Sequence, residues 1–171
     1  MKTGIIDVGG GLRGIYGAGV LDRCMEEGVR FDCCIPVVDQ PYFMDGVPYY
    51  DGGLADPVPL EKALALGCDR VAVILTKPIA PEQTGARDKK LAKLLRHRYP
   101  AAAKGLALRA ERYNQTVRRA LKLEQQGIVC VIAPDSTEGM ATLTKDKQAL
   151  EAMYQKGWQD AGKLIEWYKQ A

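Results

Sequence analysis

The chain has 171 residues, 47% of them apolar and 26% charged, with a formal net charge of +3. That is the composition of an ordinary globular domain of one-domain size. The mild charge and sparse aromatic residues, 7% of the chain, argue against a nucleic-acid platform, and no apolar run reaches the length of a bilayer.

In chain order, Gly4–Val8 is a short apolar strand that runs into Gly9-Gly10-Gly11. From Gly14 to Glu27 the apolar residues Ile15, Ala18, Val20, Leu21 and Met25 keep helical spacing, and Gly28 closes that helix. Val29–Ile35 is read as a second strand, and Pro36 to Pro59 as a turn-rich region with a short strand at Val47–Tyr50 ahead of Asp51-Gly52-Gly53. Helices are predicted over Pro59–Leu66, Arg87–Arg98, Ala101–Gln126 and Lys145–Gln170, and buried strands over Arg70–Thr76 and Ile128–Ala133. Alternating strands and helices predict an α/β fold with a mainly parallel sheet flanked by helices, as a single domain over 1–171.

Cys24, Cys33, Cys34, Cys68 and Cys130 are odd in number and form no C-x-x-C pair, which together with the absence of a signal peptide predicts reduced thiols and a cytoplasmic location. The single histidine, His97, lies in a basic stretch and is read as a surface residue. It offers little to a histidine-based triad or to a metal site.

The glycine cluster has two ligand-binding readings, beside the plain one of a tight strand-to-helix turn with no ligand. Gly9-x-Gly11-x-x-Gly14 satisfies the dinucleotide-binding pattern, with Asp32 near the next strand as the ribose-binding carboxylate. Alternatively, the loop amides form an oxyanion hole, where loss of a single donor typically costs about 3–4 kcal/mol of transition-state stabilisation. Arg13, a cation near a helix N-terminus, opposes the helix dipole, so an ion pair that fixes the loop is expected for it. The acidic turn Asp51-Gly52-Gly53 favours the second reading. A carboxylate exposed at the end of a strand suits a general base toward a hydroxyl, and the dinucleotide reading has no use for it.

GGGLRG at Gly9–Gly14 and DGG at Asp51–Gly53, in that order, resemble the patatin-like phospholipase family, and so does the text around both motifs. The resemblance covers nearly the whole chain in two blocks, 1–35 around the oxyanion loop and 36–171 around the acid turn and C-terminal helices. It implies a three-layer α/β/α fold and hydrolysis of acyl esters, often in lipids, by a Ser-Asp dyad without cofactor or metal. Asp51 would be the base, Gly9, Gly10, Gly11, Arg13 and Gly14 the oxyanion loop, and Gly52 and Gly53 the support of the acid turn. The substrate would be a lipid or other acyl ester, with a weak contact to the membrane surface. For that contact the basic stretch Lys89, Lys90, Lys93, Arg96 and Arg98, with Leu91, Leu94 and Leu95, is the candidate, although a plain solvated helix face explains it more simply.

The family's G-x-S-x-G nucleophile elbow is missing. Where it should follow the second strand, the text passes from FDCCI directly to PVVDQPYF, as though an internal block had been removed near Cys34-Ile35-Pro36. The only serine, Ser136, follows Asp51 in the chain and lacks flanking glycines, so it is read as a loop or cap residue. Cys33 and Cys34 are read as core cysteines. The chain is therefore expected to be inactive as it stands. A nucleotide-binding domain or a non-catalytic remnant are the alternatives.

Overall fold

A computed structural model describes residues 1–36, 42–44, 47–49 and 52–170. Asp51, the base expected from the sequence, lies outside the described residues. The elements are β1 (Thr3–Asp7), α1 (Ile15–Glu26), β2 (Cys33–Pro36), β3 (Tyr42–Met44), β4 (Val47–Tyr49), α2 (Leu60–Ala65), β5 (Arg70–Ile74), α3 (Ala86–Leu95), α4 (Pro100–Glu124), β6 (Val129–Ile132) and α5 (Lys147–Lys169). Strands β2-β1-β5-β6 form a four-stranded sheet in which every pairing is parallel. β3 and β4 form a separate antiparallel pair in register Tyr42↔Tyr49 to Met44↔Val47. The mainly parallel α/β fold expected from the sequence is the observed one.

Strand alternation divides the core into two halves, because successive side chains point to opposite faces. Ile5, Ala72, Ile74, Cys130 and Ile132 face α1 and α5, packing on Tyr16, Val20, Met153, Ala161 and Leu164. Ile6, Val71, Val73, Val129 and Val131 face α2 and α4, against Leu60, Ala63, Val117, Ala120 and Leu123. Helices thus cover both faces, and the strands are apolar throughout, as parallel strands buried on both sides require.

Three helices end with the same physical device. At Gly28, Gly67 and Gly127, φ is 72°, 80° and 74°. The following residues return to the helix by Val29 N–H→Cys24 C=O (2.9 Å), Cys68 N–H→Ala63 C=O (3.2 Å) and Ile128 N–H→Leu123 C=O (3.1 Å). These are Schellman closures, which satisfy otherwise orphaned carbonyls. The first explains why β2 is shorter than the predicted Val29–Ile35: Val29 is used to close α1, so pairing with β1 starts only at Cys33. β3 has no counterpart among the predicted elements. α5 begins at Asp146, whose carboxylate accepts from the Gln148 and Ala149 amides at 2.8 and 3.0 Å.

α1 and α5 approach closely. A Cβ on Gly157 would fall 2.1 Å from the Tyr16 carbonyl oxygen, and one on Gly19 would fall 2.2 Å from that of Tyr154. The buried Tyr16 hydroxyl donates to Asp160 Oδ2 at 2.7 Å, and burial against that carboxylate holds its pKa far above the usual tyrosine value. Among the described residues, no helix is long and apolar enough to cross a membrane.

Candidate functional site: the cavity at the carboxyl ends of β1 and β5

Ligand crevices of open parallel sheets lie outside the carboxyl ends of the strands. Here β1 runs into Val8–Gly11 and β5 into Thr76 and Lys77. These segments line a cavity of about 630 Å³ together with Gly53, the start of α3, Arg109 and Tyr113 of α4, and Thr142.

The triple-glycine bend requires glycine for geometric reasons. φ is 62°, 133° and 62° at Gly9, Gly10 and Gly11, values that side-chain-bearing residues rarely adopt. The neighbours are also close. A Cβ on Gly10 would fall 2.6 Å from Thr76 Oγ1, and one on Gly11 would fall 2.5 Å from the Thr142 carbonyl oxygen. The bend is held by Thr76 Oγ1 donating to the Gly9 carbonyl, Gly9 N–H donating to Asp7 Oδ1 at 2.9 Å, and Leu12 N–H donating to the Thr142 carbonyl at 2.9 Å. Among the described residues, the Gly10 and Gly11 amides have no hydrogen-bond partner. Both residues line the cavity.

Arg13 is 9% exposed. Its Nη1 donates to Thr142 Oγ1 at 2.7 Å, while its Nε has no partner. The ion pair expected for this residue is absent among the described residues; a hydroxyl anchors the guanidinium instead. Burial lowers its pKa, and Tyr113 opposes that shift. Burial also pushes the Tyr113 phenol up to about 12. Asp7, at the end of β1, sits beneath α1, where a Cβ on Gly17 would fall 2.5 Å from its Oδ2. Burial raises the Asp7 pKa, against the opposing bond from Gly9.

Of the residues expected at the site, Gly9, Gly10, Gly11, Arg13 and Gly53 line the cavity; Gly14 and Gly52 are not among its lining residues. Gly14 ends a 3-10 turn, Gly11–Gly14, that separates the bend from α1. The acid turn continues as a second 3-10 turn, Gly52–Leu54, closed by Ala55 and Asp56 amides donating to the Gly52 carbonyl at 3.0 and 2.8 Å. α4 braces it: Arg112 donates to the Ala55 carbonyl at 2.8 Å, and a Cβ on Gly105 would fall 2.8 Å from the Leu54 carbonyl oxygen.

Asp32 is placed where the dinucleotide reading cannot use it. It precedes β2 and its carboxylate accepts from Thr3 N–H at 2.8 Å, at the amino end of β1. The glycine bend leaves the other end, four residue steps or about 13 Å away. The third glycine of that fingerprint serves close helix–strand packing, yet a Cβ on Gly14 would meet nothing within 4 Å. Here the close approach falls at Gly17.

The nucleophile candidates also separate from the cavity. Ser136 is exposed, and its Oγ accepts from Glu138 N–H at 3.0 Å, as expected of a loop residue. All five cysteines are free, and the two read from the sequence as core residues are not core: Cys34 is exposed and Cys33 only partly buried, because both lie on the edge strand β2. Burial raises the pKa of Cys34, with Asp7 and Cys33 adding to it, so the thiol is not activated. His97 is exposed beside Arg96 and lines no part of the cavity. The residues that sequence reasoning missed are Thr76, Lys77, Arg109, Tyr113 and Thr142. For Thr76 and Lys77 a signal existed, since they end and follow the predicted buried strand Arg70–Thr76. For the others none did.

Fold and cavity together define a three-layer α/β domain with a glycine-lined, cation-rich crevice at the carboxyl ends of its strands. A family model described as a domain of unknown function (DUF6363) matches residues 99–171, which hold α4, β6 and α5: one helix on each face of the sheet, an edge strand, and one wall of the crevice. No curated protein and no solved structure matches the chain.

Proposed function

We propose that this is the framework of a serine acyl-ester hydrolase acting on lipids, of the patatin-like type, and that the chain as it stands is silent because it carries no nucleophile. In this reading the Gly10 and Gly11 amides receive the carbonyl oxygen as it becomes negative. Asp51 takes the proton of an attacking serine hydroxyl. The serine oxygen bonds to the acyl carbon, the alcohol leaves with a proton, and water then releases the acid. Without that hydroxyl the first bond cannot form.

The observation that carries the reading is that the triple-glycine bend and Gly53 of the acid turn line one cavity. A second supports it. β2 lies beside β1 in parallel with Asp7 opposite Pro36, so the carboxyl end of β2 lies about 5 Å from the root of the glycine bend. A nucleophile elbow inserted there would start next to the oxyanion donors. The hydroxyls of Thr76 and Thr142 are already committed, one donating to the Gly9 carbonyl and one accepting from Arg13. On α3, Leu94 is 78% exposed among Lys90, Lys93 and the neighbouring basic residues, which suits the membrane-surface contact.

The test is insertion of a G-x-S-x-G elbow with its helix between Ile35 and Pro36. The expected result is hydrolysis of short p-nitrophenyl esters and fluorophosphonate labelling of the inserted serine, with turnover falling by about 10²–10⁴ in Asp51→Asn. An inserted variant that folds by circular dichroism yet neither labels nor turns over would overturn the reading, as would esterase activity in the chain without the insertion.

A further inference from the structure

The cavity has an electrostatic feature that ester hydrolysis does not use. Among its described lining residues are the cations Arg13, Lys77, Arg87 and Arg109, against the single carboxylate of Asp88. Asp88 is held by Arg109 through two bonds, at 2.9 and 3.0 Å. Lys77 is half-buried and has a neutral partner, donating to Gln83 Oε1 at 3.1 Å. Burial lowers the Lys77 pKa, and the charges of Arg13 and Arg109 lower it further against the opposing carboxylate of Asp88. Gathering like charges in a partly desolvated crevice is unfavourable unless an anion completes it.

Besides the Arg13 guanidinium, which keeps Thr142 as its one partner among the described residues, two further groups line the same space. The Arg13 guanidinium is nine-tenths buried with its Nε unpaired. The Gly10 and Gly11 amides are free among the described residues. The N-terminus of the ten-residue helix α3 opens onto the cavity at Gly85–Asp88, and its N-cap, Gly85, supplies no side-chain acceptor. Guanidinium forks, a lysine, glycine amides and a helix N-terminus together form the donor set that suits a group with several anionic oxygens.

We propose that this cavity is a phosphoryl-binding site in the chain as it stands, with Lys77, Arg13 and Arg109 gripping the phosphate of a phosphomonoester or phosphodiester. The site needs neither a nucleophile nor Asp51, so it is independent of the hydrolase reading.

Binding is measured on the intact chain by titration calorimetry and thermal shift, with inorganic phosphate and glycerol 3-phosphate compared against chloride at equal ionic strength. Saturable binding with a rise in melting temperature is expected. Lys77→Met should weaken it about tenfold or more, as loss of a charge-assisted contact does. Lys77→Arg should retain most of it, and Lys122→Met, which removes the same charge from the exposed last turn of α4 outside the cavity, should leave it unchanged. Flotation with phosphatidylcholine vesicles, with and without phosphatidic acid, distinguishes the source. Lys77-dependent vesicle binding alongside weak glycerol 3-phosphate binding identifies a lipid headgroup, and the reverse a soluble phosphate. No binding of either soluble probe beyond chloride, or equal weakening by Lys122→Met and Lys77→Met, would overturn the proposal. Failure of the elbow insertion to restore turnover would leave it untouched.

Discussion

Substituting the glycines of GGGLRG one at a time separates packing from sequence pattern. Gly11→Ala places a methyl group on a residue at φ 62°, which costs about 1–2 kcal/mol outside glycine. The new Cβ would lie 2.5 Å from the Thr142 carbonyl oxygen and 2.7 Å from Thr142 Cγ2. The Thr142 segment must therefore retreat, and it takes with it the 2.9 Å bond from Leu12 N–H, a further loss of about 1 kcal/mol. The lower entropy of the unfolded alanine chain returns about 0.4–1 kcal/mol. The net expectation is a destabilisation of about 1–3 kcal/mol. Gly14→Ala makes the opposite case. Its φ is −58°, its Cβ meets nothing within 4 Å, and the same entropy term predicts a gain of up to about 0.5–1 kcal/mol. Urea unfolding followed by far-UV circular dichroism reads both. With a slope of about 2 kcal/mol/M, the Gly11→Ala midpoint should fall by about 0.5–1.5 M while that of Gly14→Ala holds or rises. Equal destabilisation by the two substitutions would refute the reasoning, because Gly14 would then be packing against something as the dinucleotide fingerprint demands.

Other expectations follow from single contacts. Asp146→Ala removes the two cap bonds of α5 and should cost about 1 kcal/mol, read as a lower melting temperature; Asp146→Asn should restore most of it. Burial raises the Asp7 pKa above its unfolded value, so its contribution is fully present below the unfolded pKa and is lost as pH rises through the folded one. Asp7→Asn keeps an acceptor for Gly9 N–H, and its stability relative to the parent should therefore increase from about pH 3 to pH 7; a flat difference would contradict the burial. With a thiol reagent at pH 8, the exposed Cys34 should react ahead of Cys24 and Cys130, which are buried and whose pKa values are pushed up to about 11 and about 12. Those two should become reactive only on unfolding.

Local pattern was enough to locate most elements. The β-branched run at Arg70–Ile74, the helical spacing in α1, α4 and α5, and glycines at the helix ends all act within a few residues, so the sequence shows them directly. The same locality explains the misplaced start of β2: Val29 suits a strand by type, but the closure of α1 uses it first. The glycine bend itself was legible, because three consecutive glycines after a strand mark a backbone that turns through positive φ. The basic character of its cavity was not.

By itself, the sequence determined the α/β alternation, the position of the glycine bend after the first strand, and the lack of a nucleophile elbow. Only the tertiary structure decided which end of the sheet each polar group occupies. It put Asp32 at the amino end, away from the bend, and brought Lys77, Arg109 and Thr142 to the other. Arg13 and Thr142 meet across a separation of 129 residues. No periodicity or propensity encodes such a contact, because it arises from strand order and helix packing, through which residues remote in the chain come to share one wall.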